Sequence, residues 1–97
     1  MNVNRELTKA MLQHYGWKNK KMVVVEELSE LTKEVCKQER GLGNIHDLVE
    51  EMADVYIVLD MIKEHYKITD VLIDAMIDAK ESRNRRRLAE RLVEADD

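Results

Sequence analysis

Apolar residues recur along most of the chain at alternating spacings of three and four, the period of a helix with one face turned inward. Val24, Leu28, Leu31 and Val35 follow it in one segment. Leu48, Met52, Val55, Leu59, Ile62 and Tyr66 follow it in the next. The pattern predicts four helices. The first runs roughly from Val3 to Tyr15 and ends at Gly16, with Asn4 or Thr8 offering capping chemistry. The second starts near Lys20 and ends at Arg40, because Gly41-Leu42-Gly43-Asn44 is a breaker. The third opens near Asn44–Asp47, with Asn44 as N-cap, and runs to about Tyr66. The fourth follows the capping pair Thr69-Asp70, continues to about Glu94, and is expected to break near Ser82–Asn84. Short connections imply antiparallel neighbours. The expected fold is an all-α antiparallel helical bundle of about four helices, a single domain over residues 1–97.

Composition sharpens this picture. Proline is absent and glycine occurs only at 16, 41 and 43, so helix-breaking residues are confined to two places. With no Phe and a single Trp, the core must be mostly aliphatic, and the methionines fill gaps in it. A chain this short buries only about 60–65% of its unfolded surface. Yet both central helices carry apolar residues outside their stripes (Val23, Val25 and Cys36; Ile57, Val58 and Met61). One small core does not cover them all, so the bundle is expected to be completed by oligomerisation, as a homodimer or homotetramer. Cys36, the only cysteine, has no disulfide partner and reads as structural. Met1–Gln13 has no continuous apolar run, and no stretch approaches the ~18 apolar residues of a membrane span. No membrane association and a reducing cytoplasm are expected.

Charge is distributed unevenly. Glu26 to Asp54 holds nine acidic and three basic residues; Lys80 to Arg91 holds six basic and two acidic. Acid in the middle and base near the end is no nucleic-acid footprint. It suits a site that needs a cation first and an anion second.

The second predicted helix carries Glu26, Glu27, Glu30 and Glu34, and the third carries Asp47, Glu50, Glu51 and Asp54. Glu27 and Glu30 are three apart, as are Glu51 and Asp54, so each pair projects from one face. At ~100° per residue, Glu51 lies about 40° from the centre of the third helix's apolar stripe, with Asp47 and Asp54 at its edge. Glu27 and Glu34 border the stripe of the second. Glu34, near Lys33 and Lys37, reads as part of a solvated face. Glu51 does not: a carboxylate within an apolar arc is costly unless a cation compensates it, and no Lys or Arg occurs between Arg40 and Lys63. A divalent metal is the natural candidate. All the donors are hard oxygens, which favours Mg²⁺, with Mn²⁺ possible, over Zn²⁺. A di-iron bundle would need Glu-x-x-His, and none of His14, His46 and His65 follows a Glu at that spacing.

Glu26-Glu27-Leu28-Ser29-Glu30, followed after twenty residues by Glu51-Met52-Ala53-Asp54, resembles the paired EExxE…ExxD signature of the MazG-like nucleotide pyrophosphohydrolases. The resemblance covers about residues 20–66. It implies that Glu27, Glu30, Glu51 and Asp54 hold Mg²⁺ and that the activity is hydrolysis of a nucleoside triphosphate at the α-phosphorus, giving the monophosphate and pyrophosphate. Glu26 supports the ligands or is simply surface.

Ile73 and Ile77 are followed at helical spacing by Lys80, Asn84 and Arg87, then Leu88 and Leu92. Those three polar residues continue an inward-facing stripe, whereas Arg83, Arg85 and Arg86 fall on the solvated side. Lys-x3-Asn-x2-Arg also resembles the phosphate-contacting segment of MazG-like proteins, which implies substrate binding by Lys80, Asn84 and Arg87. Trp17, beside His14 and Tyr15, could stack a nucleobase or pack as core. Two other readings compete. Phosphoribosyl-ATP pyrophosphohydrolase is a relative with a comparable carboxylate pattern, to be separated by assaying that substrate. A non-catalytic helical interaction module would have a stability indifferent to Mg²⁺ and EDTA.

Overall fold

The computed structural model describes residues 2–96, and among them every regular element is α-helical: α1 (Arg5–Tyr15), α2 (Trp17–Glu39), α3 (Ile45–Tyr66) and α4 (Asp70–Asp96). The all-α expectation of four helices holds. The chain forms two compact units that meet in sequence at Lys67 and Ile68. The first contains α1–α3, with α2 against α3 as the main pair and α1 touching both.

Local chemistry accounts for the helix ends. Asn4 Oδ1 accepts from the Leu7 amide at 3.0 Å, and Asn44 Oδ1 accepts from the Asp47 amide at 2.8 Å, each satisfying an orphan donor of the first turn. Of the two caps considered for α1, Asn4 is the one used. Thr69 Oγ1 accepts from Leu72 N in the same way at 3.3 Å. The start expected near Lys20 is corrected: α2 begins at Trp17, directly after Gly16. With φ 80°, a backbone conformation open to glycine, Gly16 turns the chain in a single residue. Its amide donates to Leu12 O at 2.9 Å, while Asn19 Nδ2 donates to Tyr15 O at 2.7 Å. Nor does α4 break near Ser82–Asn84; neither Gly nor Pro stands there, and Ser and Asn alone cost a helix interior too little to stop it.

The inward faces only partly match those the apolar spacing predicts. On α2 the residues withdrawn from solvent are Trp17, Lys20, Val23, Val24, Glu27, Leu31, Glu34 and Gln38, whereas Leu28 and Val35 are exposed. On α3 they include Asp47, Glu51, Asp54, Val58 and Met61 together with Leu48, Val55 and Ile62 of the expected stripe, whereas Met52, Leu59 and Tyr66 are exposed. The helical period holds, and each expected stripe is half met: Val24, Leu31, Leu48, Val55 and Ile62 are withdrawn from solvent, while the alternate members are exposed and acids take their place on the inner face. The core lies at one end of the α2–α3 seam, where Val24, Val58 and Met61 are buried and Met11, Leu12, Trp17 and Ile62 pack around them.

A charged anchor ties α1 to α3. The Arg5 guanidinium donates to Asp60 Oδ1 and, at 2.8 Å, to Glu64 Oε2, with Lys63 Nζ 3.7 Å from the same Asp60 oxygen. Asp60 is buried, so these cations offset the cost of desolvating its charge.

Candidate metal centre

Beyond the apolar core, toward the Gly41–Asn44 turn, the same seam is lined by carboxylates. Glu27 of α2 and Glu51 and Asp54 of α3 are all half-buried, and each offers an oxygen within 4.8 Å of the others. Helical spacing explains the convergence. Glu27 lies three residues from buried Val24, Asp54 four from buried Val58, and Glu51 three before Asp54, so the face that carries the core also carries the acids. Oε2 of Glu51 is buried with no hydrogen-bond partner. No lysine or arginine pairs with any of the three among the described residues.

The electrostatics follow from this crowding. Burial, then the Asp54 charge and a hydrogen bond shared with it, then Glu51 and Glu30, push the Glu27 carboxyl above its ordinary range. Glu51 is raised by burial first, then by Asp54, Glu30, Glu34 and Glu50. Both shifts have the sign expected when like charges gather in a partly dry place without a counter-ion.

The remaining candidates are placed as follows. Glu30 stands at the rim, half-exposed, with Lys33 Nζ 3.5 Å away; it is close enough to raise its neighbours but lies outside the group of three. Glu26 is exposed. Glu34, expected on a solvated face, is instead only 7% exposed, and its Oε1 has no partner. It is the residue the sequence reading missed. The signal was present: Glu34 is seven residues beyond Glu27 and therefore on the same face. Taking Val24 with Leu31, rather than with Leu28 and Val35, recovers it.

Trp17 is half-buried against the core, and its indole stacks on the His65 imidazole with centroids 4.2 Å apart and planes 7° from parallel. His65 thus occupies the kind of face a nucleobase would use. Lys9, Gln13, Glu64 and Lys67 join this pair in lining an open groove of about 470 Å³. On α4, Lys80, Asn84 and Arg87 share one helical face and are all exposed, which corrects their expected inward placement: from Asp78 to Arg87 the helix has no large apolar side chain to turn inward. Cys36 is also exposed. A second acidic group, His46, Asp47 and Glu50, falls within the first turns of α3, but His46 and Glu50 are exposed and Asp47 accepts from the Asn44 side chain. No helix is long and apolar enough to cross a membrane among the described residues.

The donor set fits a hard divalent cation. Three carboxylates converge from two packed helices, and one of their oxygens is buried and otherwise unsatisfied; oxygen-only ligation of this kind suits Mg²⁺ or Mn²⁺. Compared with known proteins, the chain matches no family model, no curated protein and no solved structure.

Proposed function

We propose that the chain is a Mg²⁺-dependent nucleoside triphosphate pyrophosphohydrolase, in which water attacks the α-phosphorus and the products are a nucleoside monophosphate and pyrophosphate. The observation that carries this reading is the convergence of Glu27, Glu51 and Asp54 on the inner seam, with a buried, unpartnered Glu51 oxygen and no basic side chain to neutralise the group. The MazG-like motif across the same residues supplies the reaction class.

In this reading Glu27, Glu51 and Asp54 hold the cation, and Glu30 joins them from the rim. Mg²⁺ bound there supplies Lewis-acid polarisation of phosphate oxygens and neutralises the charge that develops on them. The two packed helices keep the carboxylates fixed, so little reorganisation is needed when substrate arrives. On α4, Lys80, Asn84 and Arg87 offer two cations and an amide along one face, a set suited to holding a phosphate chain. An oligomeric state in which apolar helix faces pair belongs to the same reading.

The test is pyrophosphate release from a panel of ribo- and deoxyribonucleoside triphosphates, with and without Mg²⁺. Glu51→Gln keeps the shape of the side chain and removes its charge. It is expected to lower the Mg²⁺-dependent rate by about 100-fold or more. Unchanged release in that variant would remove Glu51 from the ligand set and with it the reading.

A further inference from the structure

The last helix carries its apolar residues on the outside. From 70 to 95 every residue except Ile73 is exposed, and Val71, Leu72, Met76, Leu92 and Val93 each show more than half of their surface. A helix in a folded protein draws most of its stability from the apolar face it packs. Over its 27 residues α4 therefore has a face without a partner.

Two strips of the helix could take one. Ile73, Ile77 and Leu88 share a side with Lys80, Arg87 and Arg91, so covering that strip would bury three cations. The other strip runs Leu72, Ala75, Ala79, Ser82, Arg86, Ala89 and Val93, in unbroken 3-4 spacing. Its one charged member, Arg86, has a stem long enough to carry its head out to solvent. Val71, Asp78, Arg85 and Leu92 flank this strip on one side, with Met76 and Arg83 on the other.

Charge sets the direction. From 70 to 79 the only charges are Asp70, Asp74 and Asp78, whereas 80 to 91 holds six basic and two acidic residues. Two parallel copies of α4 would set acid beside acid and base beside base. Two antiparallel copies set each acidic half beside a basic one.

We propose that α4 pairs antiparallel with α4 of a second copy of the chain, about a two-fold axis passing between Lys80 and Glu81. In this register Leu72 stands level with Ala89 of the partner subunit, and Ala79 with the partner's Ser82, where short side chains let the helices approach closely. On the flank, Asp78 lies within half a turn of the partner's Arg85, and Val71 within half a turn of the partner's Leu92. The symmetry makes each contact twice. Arg85 is free to turn to it, since its own-helix contact with Glu81 is exposed and 3.5 Å long. The pairing strip lies about 140° round the helix from Lys80, Asn84 and Arg87, so those three stay on the outer face. The pairing does not depend on the proposed activity, and it names an element, a direction and a register that the apolar faces of α2 and α3 do not.

The experiment is sedimentation equilibrium of the full chain, its Asp78→Arg and Arg85→Asp variants, and an equimolar mixture of the two. Circular dichroism checks the helix content of each. Alone, each variant meets like charge in both symmetric contacts and should associate at least about tenfold more weakly than wild type. In the mixture every residue 78 again meets an opposite charge at 85 of the partner, and association should recover to within about threefold of wild type. A folding defect would not be repaired by mixing. Pairing through the outer stripes of α2 and α3 alone would leave both variants at wild-type association. That result, a wild-type chain that stays monomeric, or a mixture no stronger than its parts would overturn the inference.

Discussion

Glu51 shows what a single position can carry. It sits three residues from Asp54 and faces Glu27 across the seam, so its charge is opposed by acids on both helices and favoured by none. The sign of the resulting pH dependence follows from linkage. A carboxyl raised above its ordinary value of 4.5 binds its proton more tightly in the folded chain than in the unfolded one. The contribution to stability is therefore fully present below about 4.5, and is lost as pH rises through the higher folded value. In EDTA, the chain should become more stable to urea as pH falls from neutral toward 4.5, and Glu51→Gln should flatten that slope. A slope unaffected by the substitution would mean that the crowding at Glu51 is relieved in solution. Added Mg²⁺ should oppose the same slope, because the ion binds the charged, folded form.

The elements were more legible than their orientation. Caps at Asn4, Asn44 and Thr69 and the breakers at Gly16 and Gly41–Asn44 follow from local chemistry, which the sequence displays directly. The phase of α2 and α3 does not, because both helices are apolar on more than one side. Val25, Leu28 and Val35, like Val49, Met52 and Leu59, form stripes as regular as the buried ones, yet they are exposed. Apolar periodicity alone finds only part of the inner face, Val24, Leu31, Leu48, Val55 and Ile62, since that face is shared between aliphatic residues and acids. Glu27, Glu51 and Asp54 lie together in the structure, as the helical spacing within each pair allows; Glu34 lies outside the paired motif. Packing of α1 against α3 depends on an ion-pair anchor that no periodicity reveals. Arg5→Met should cost about 2 kcal/mol in chemical denaturation, because it leaves buried Asp60 with less cationic support. This is less than a fully buried pair would lose, since the Arg5 side chain is 39% exposed. A loss below the error of the measurement would mean that solvent screens the anchor.

At the scale of the whole molecule, only Val24, Val58 and Met61 are buried apolar residues among those described, while further apolar residues on α2 and α3 face outward. So small a core leaves little margin for a lone chain. Sedimentation should accordingly return a multiple of the 11.4 kDa chain mass at micromolar concentration. A charged substitution on the outer stripe, Met52→Lys, should shift the distribution toward the single chain; a chain that is monomeric from the outset would contradict this. The seam between α2 and α3 has a further consequence. Aliphatic and aromatic groups close one end of it, and mutually repelling acids hold the other. Without cations, the two helices should breathe apart at the turn like a zipper while the Val24–Met61 end stays shut. Amide protons in the second half of α2 and the first half of α3 should then exchange with deuterium fastest along the seam, and slow when Mg²⁺ is added. The ion would act as a clasp, making a local opening depend on cation concentration.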